Sequence, residues 1–339
     1  MKELMKTLCS VDGTSGRETR VRETILSLIG DGHDTRVDAL GNLIVNVKGR
    51  ERAKNKVMLS AHMDEVGVIA SYITGAGLVK FTNVGSIQPS ALLGKTVKFE
   101  NGTVGAVGVK PVHLCDGDER TALPAIKDLY LDIGAESKEE AEKLVRPGDT
   151  AVFTSVWTEM GDRVLSKALD DRTGCAILVD LIRAGVKYDL TVVFNTMEEV
   201  GARGAKAAAF SVAPDYAIVL ESTTAADVIG APEDKRVCLL GEGAVINFMD
   251  RGTVYDRALY DKAFAVANEN GIPLQPKTAV AGGNDAGSIH VSRGGVKTVT
   301  LDVPTRYIHS PSSVCDINDV KALRALAEKL AEAFASADE

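Results

Sequence analysis

The chain has 339 residues, 45% of them hydrophobic and 25% charged, the balance of an ordinary folded protein of about two domains. Its 39 basic and 47 acidic side chains give a formal net charge of −8, and no basic cluster interrupts it, which argues against nucleic acid as a partner. No stretch reaches the roughly 18 uninterrupted apolar residues of a membrane span, and five scattered cysteines with no CxxC pair argue against disulfides or a thiolate zinc site and for reduced thiols in the cytosol.

In chain order, residues 1–6 carry no apolar run ahead of a small-residue cleavage site, so no signal peptide is expected. The opening forty residues read as helical, with Ser15 and Glu18 as a capping box before Val21, Ile25, Leu28 and Ile29 at helical spacing. Residues 57–61 (VMLSA) form a short apolar run, the pattern of a strand covered on both faces. From 68 to 160 the sequence turns Gly-rich and β-rich, with a hairpin signal at Asn101-Gly102 and one helix capped by Ser137 with Glu140. This reads as a small β-rich domain inserted into an α/β domain made of residues 1–67 and 161–339.

Beyond the insertion, further strands are expected at 190–196, 216–220 and 297–303. Helices are expected at 173–184 before Gly185, at 256–269 before Gly271, at 284–291, and at 317–335 with Val320, Leu323, Leu326, Leu330 and Phe334 on one stripe. Strands alternating with helices predict an α/β fold with a mixed, largely parallel sheet sandwiched by helices.

Candidate ligands recur at the carboxyl ends of these strands, where an open parallel sheet forms its ligand crevice. His62 follows VMLSA and opens His62-Met63-Asp64; Glu198 and Glu199 follow the strand at 190–196; Glu221 follows YAIVL; His309 lies a few residues past 303; Asp170 and Asp171 precede the helix at 173. Two histidines with three or four carboxylates suit a pair of cations such as Zn²⁺, Co²⁺ or Mn²⁺. In an extended segment residues i and i+2 point the same way, so Asp64 can orient His62, as ligating imidazoles require. The Glu198-Glu199 doublet would repel unless positive charge lay beside it. With a cation there, one glutamate can bind and the other take a proton from water. Taken singly, each motif also has a plain reading: a solvated acidic pair, a helix N-cap at Asp170-Asp171, a turn histidine.

Together the motifs resemble the glutamyl and tetrahedral aminopeptidases, a cytosolic family of dinuclear metallopeptidases. The resemblance spans essentially the whole chain: GTSG at 13–16, DALGNL at 38–43, AHMDEVG at 61–67, ALDDRTGC at 168–175, MEEVGARGA at 197–205, AGGNDAG at 281–287 and PTRYIHSP at 304–311. It implies the phosphorylase/hydrolase-like metallopeptidase fold and two divalent cations, zinc or cobalt foremost and manganese as a third choice. His62 and Glu221 would hold one cation, Glu199 and His309 the other, and Asp170 would bridge them. Glu198 would be the general base and acid, and Asp64 the partner of His62. Asp171 falls where the family carries an unusual, often cis, peptide. Many members have Asp where this chain has Glu221; Asp227 is a nearby substitute, and Glu221 is favoured.

The resemblance further implies a cytoplasmic aminopeptidase acting on short peptides, with acidic N-terminal residues as one preference and Arg251 and Arg306 as candidate pocket residues. The inserted domain matches the family's dimerisation domain, and such dimers commonly build tetrahedral dodecamers. The alternatives are another metal hydrolase on the same fold (a carboxypeptidase or deacylase), a glycosidase working through carboxylates alone, and a non-catalytic assembly protein. No GxSxG elbow or GxxxxGK[ST] phosphate loop is present. Cys175, beside the DDR motif, reads as a core filler.

Overall fold

The apolar runs of the sequence become the centre of an 11-stranded sheet in the computed structural model, which describes residues 1–338. Leu190–Asn195, Val57–His62, Tyr216–Thr224 and Lys297–Arg306 lie side by side in that order and run parallel. Every residue of the first two is buried, because helices cover both faces. Leu59 and Ala61 join the core under Leu169–Ala184 and Ile317–Ser336, whereas Met58, Val193 and Val219 face Ala205, Ala209, Val212 and Ile289 on the other side. Side chains alternate across a strand, so two-sided burial demands the unbroken apolar run that distinguishes these segments.

Antiparallel strands extend both edges. Leu43–Val47 and Asp34–Val37 lie beside Leu190–Asn195; Ser313–Asp316, Arg163–Ser166 and Thr158–Met160 continue past Lys297–Arg306. The strand Asp34–Val37 corrects the helical reading of the first forty residues. Its four residues are all exposed, so no apolar alternation marked it. A turn sets its register: Asp38 Oδ1 accepts from the N–H groups of Leu40 and Asn42 at 2.9 and 3.1 Å, and Gly41 adopts φ 95°. The two expected late strands are also longer than read, so Glu221 lies inside Tyr216–Thr224 rather than after it.

The segment between Gly67 and Phe153 closes into a six-stranded barrel with its own core of Val68, Phe81, Val97, Phe99, Leu131 and Phe153. The Asn101-Gly102 turn joins Thr96–Phe99 to Val104–Gly108, and Ser137 caps Lys138–Leu144 by accepting from Glu140 N–H. Thr158–Met160, which the sequence places in the insertion, pairs instead with Arg163–Ser166 in the large sheet.

Candidate metal centre

The parallel strands end at one rim, and the seven candidate residues meet there. His62 is the last residue of its strand and is 1% exposed. Its Nε2 lies 3.3 Å from Asp170 Oδ1 and 3.6 Å from Glu221 Oε2. His309, in the loop beyond Lys297–Arg306, puts Nε2 at 3.1 Å from Asp170 Oδ2 and 3.4 Å from Glu199 Oε1. Asp170 thus offers one oxygen to each histidine. The backbone at Asp170 and Asp171 is not helical, although both fall within Leu169–Ala184, and the peptide between them is cis.

Asp64 has more to do than orient His62. The His62 Nδ1 lies 3.1 Å from the Asp64 carbonyl and 3.4 Å from its carboxylate. The same carboxylate accepts from the backbone N–H groups of Glu198 and Glu199 at 3.0 and 3.1 Å and from Ser15 Oγ at 2.6 Å. It therefore fixes the turn that carries both glutamates. This is why the expected Ser15–Glu18 capping box does not form: Ser15 donates to Asp64, and Glu18 Oε1 accepts from Gly16 and Met197 N–H at 2.7 and 3.0 Å. The helix Thr19–Ile29 starts without a side-chain cap.

Charge is unbalanced in this buried cluster. Burial pushes Glu198 and Glu221 well above the usual carboxylate range, and Glu199 up to about 8 against the pull of His309. Burial opposes the charged form of His62, but Glu221, Asp170 and Asp64 outweigh it and hold the imidazole well above its ordinary value. His309 is likewise raised to about 9, burial being overcome by Asp170 and Glu199. Asp170 goes the other way: burial is outweighed by both histidines, and its carboxyl is held low. Buried carboxylates in this number ionise together only beside added positive charge.

The donor set fits divalent cations on a further count. Glu199 Oε1 and Glu221 Oε1 are buried with no hydrogen-bond partner, a cost that ligation would remove. His62, Asp170 and Glu199 place donor atoms within 4.8 Å of one another, as do His62, Asp171 and Glu221. Asp171 is the weaker candidate, because its oxygens already accept from Gly174 N–H at 2.9 Å and His62 N–H at 3.3 Å. Part of the plain reading thus holds for Asp171, which caps the helix while Asp170 does not. Asp227 is no rival to Glu221, since Arg306 grips it with two bonds of 2.6 Å. That bond also occupies Arg306. The Cys175 thiol is buried, raised by that burial, and donates to the His62 carbonyl at 3.1 Å, as a core residue would.

A cavity of about 510 Å³ opens onto the cluster. Asp170, Glu198, Glu199, Glu221 and His309 line it, together with Asp302, Arg251, Lys277 and residues 281–284. Lys277 was not legible in the sequence, where nothing sets it apart from a surface lysine. It is 5% exposed, and its charge acts on the buried carboxyl of Asp302, pulling it down against burial.

The family described as M42 glutamyl aminopeptidase matches residues 41–326. The lysyl aminopeptidase of Pyrococcus furiosus is 32% identical, covering 97% of this chain and 96% of its own. The TET1 peptidase of Pyrococcus horikoshii, described as able to assemble into a tetrahedron or a large octahedral shell, is 36% identical with a TM-score of 0.86, covering 97% and 98%. The TET aminopeptidase of the marine sediment archaeon Thaumarchaeota archaeon SCGC AB-539-E09 superposes with a TM-score of 0.91 at 32% identity, covering 98% of each chain.

Proposed function

The chain belongs to the M42 glutamyl aminopeptidase family and is a peptide-bond hydrolase, and on that premise we propose that it is a dinuclear metal-dependent aminopeptidase that releases N-terminal residues from short peptides. The observation that carries the dinuclear reading is Asp170, with Oδ1 at 3.3 Å from His62 and Oδ2 at 3.1 Å from His309. His62 and Glu221 would hold one cation, Glu199 and His309 the second, and Asp170 both. When bound, such cations polarise a carbonyl and bring the pKa of water down to about 7. Zinc, cobalt and manganese all suit these ligands.

The chain's own groups do the proton work. Glu198 lines the cavity while its backbone is pinned by Asp64, so its carboxylate is held beside the scissile bond. It takes a proton from the attacking water and returns it to the departing amine. Lys277 and Arg251, both lining the cavity, would favour a first residue whose side chain ends in a carboxylate, with the buried Asp302 near Lys277 offsetting part of that charge. The family description and the lysyl name of the Pyrococcus furiosus relative differ on this preference, and the two basic lining residues support the glutamyl side. The barrel is the surface through which copies would pair, on the way to a tetrahedral dodecamer like the assembly named for the Pyrococcus horikoshii peptidase. The cytoplasm is the compartment that reduced cysteines fit, and the five here are all free.

The deciding experiment compares an aminoacyl-nitroanilide with its N-acetylated form, before and after chelation. An aminopeptidase cleaves only the free amine and stops when metal is removed. Release of acetate from the acetylated form without nitroaniline would mark a deacylase, and survival of a chelator would mark a metal-free hydrolase. Glu198→Gln should lower kcat by about 10²–10⁴ while metal content, read by elemental analysis, stays near that of the parent. Retained turnover would remove Glu198 from its role.

A further inference from the structure

Behind Glu198 lies a pair of fully buried side chains that the mechanism above does not use. Asn195 closes the strand Leu190–Asn195, three residues before Glu198, and its carbonyl accepts from Met63 N–H at 2.7 Å. Asp285 precedes the short helix Ala286–Ile289, directly after the cavity wall at 281–284. Both side chains are 0% exposed. Asn195 Nδ2 donates to Asp285 Oδ2 at 2.7 Å, a bond that ties the strand leading to Glu198 to the segment that follows residues 281–284.

The pair is half satisfied. Asp285 Oδ1 and Asn195 Oδ1 are each buried without a partner, which is costly for an amide and more so for an ionised carboxylate. Among the described residues, Asp285 has its one side-chain hydrogen bond to Asn195 and no ion pair with a lysine or arginine. The charged groups that act on it are His62 and Asp64, and it acts in turn on Glu198 as the strongest like charge there. A carboxylic acid and a primary amide can pair through two bonds, with N–H donating one way and O–H the other.

We propose that Asp285 is a positioning residue for Glu198, held as a neutral acid whose O–H donates to the Asn195 amide oxygen. One proton then satisfies both bare oxygens and locks the strand end against the 281–284 wall. Burial, acting against His62 and Asn195, raises the Asp285 carboxyl to about 7, in keeping with this state. The inference rests on Glu198 being the base.

The test uses the metal-loaded protein and two variants. Asp285→Asn offers Asn195 the same neutral donor and acceptor. It should keep kcat/KM on an aminoacyl-nitroanilide within about threefold, with the acid limb of the pH profile unmoved. Asp285→Ala should lose about tenfold or more. Infrared difference spectra of the parent against Asp285→Asn should contain a protonated-carboxyl C=O band belonging to the parent. Absence of that band would overturn the proposal. So would an acid limb displaced to lower pH in Asp285→Asn, since that would show that an anion had been removed. If neither protein cleaves any aminoacyl-nitroanilide, the aminopeptidase reading fails, and the infrared band still decides the state of Asp285.

Discussion

Asp64 spends its carboxylate on backbone and hydroxyl groups rather than on a cation, and through them it sets where two glutamates point. Oδ1 takes Glu198 N–H; Oδ2 takes Glu199 N–H and Ser15 Oγ. Asp64→Asn would turn one acceptor into a donor facing an N–H. It should cost about 10- to 100-fold in metal affinity or activity, measured by competition with a chelating dye and by kcat/KM. Ser15→Ala removes a single hydrogen bond of about 1.5–3 kcal/mol to a charged acceptor but leaves both N–H bonds to Asp64 in place. Its loss in kcat/KM should therefore be the smaller of the two, and a larger one would mean that Ser15 itself meets substrate. Most of the candidate ligand set was legible because His62, Glu199, Glu221 and His309 fall at or near the carboxyl ends of recognisable strands, while Asp170 was marked only by its place before the helix at 173. Ser15 was not, because a capping box is a local pattern and its real partner lies 49 residues away. Asp285 sat inside a quoted motif without a role, since nothing in AGGNDAG indicates that its carboxyl faces Asn195.

At the scale of elements, the site depends on how the helix Arg203–Val212 seats on the strand before it. Gly204 N–H donates to the Thr196 carbonyl at 2.9 Å, and Asn42 links Gly204 O to Thr196 N–H with bonds of 2.9 and 2.8 Å. A Cβ at Gly204 would overlap Asn42 Oδ1 and the Thr196 backbone, and backbone cannot step aside cheaply. Gly204→Ala should destabilise the protein by about 1–3 kcal/mol, read as a lower midpoint in thermal or urea unfolding. Gly294→Ala, where a Cβ meets nothing within 4 Å, should stay within about 0.5 kcal/mol of the parent. The central strands were readable because two-sided burial forces a continuous apolar run. Asp34–Val37 escaped notice for the opposite reason: an exposed edge strand is held by its ladder with Leu43–Val47 and by the Asp38 turn, neither of which leaves an apolar period.

Across the whole molecule, the fold concentrates buried carboxylates and two histidines at one rim of the sheet, and that has a consequence for stability against pH. In the absence of cations Glu199 is raised to about 8 and His309 to about 9. A carboxyl whose folded value exceeds its unfolded one contributes fully below the unfolded value, about 4.5 for Glu199, and loses that contribution as pH rises to about 8. For His309 the corresponding loss runs from about 6.5 to about 9. Both act in the same direction, so metal-free protein should grow less stable as pH rises from about 5 to about 9. Cations reverse the preference, because they bind the ionised carboxylates and neutral imidazoles that high pH supplies. Metal-loaded protein should therefore gain most over the metal-free form at the alkaline end, by an amount that grows with the logarithm of free metal concentration. Thermal unfolding across this pH range, with chelator and with zinc or cobalt, measures the difference directly. Parallel curves for the two forms would mean that His62, Asp170, Glu199, Glu221 and His309 bind no cation in the folded state.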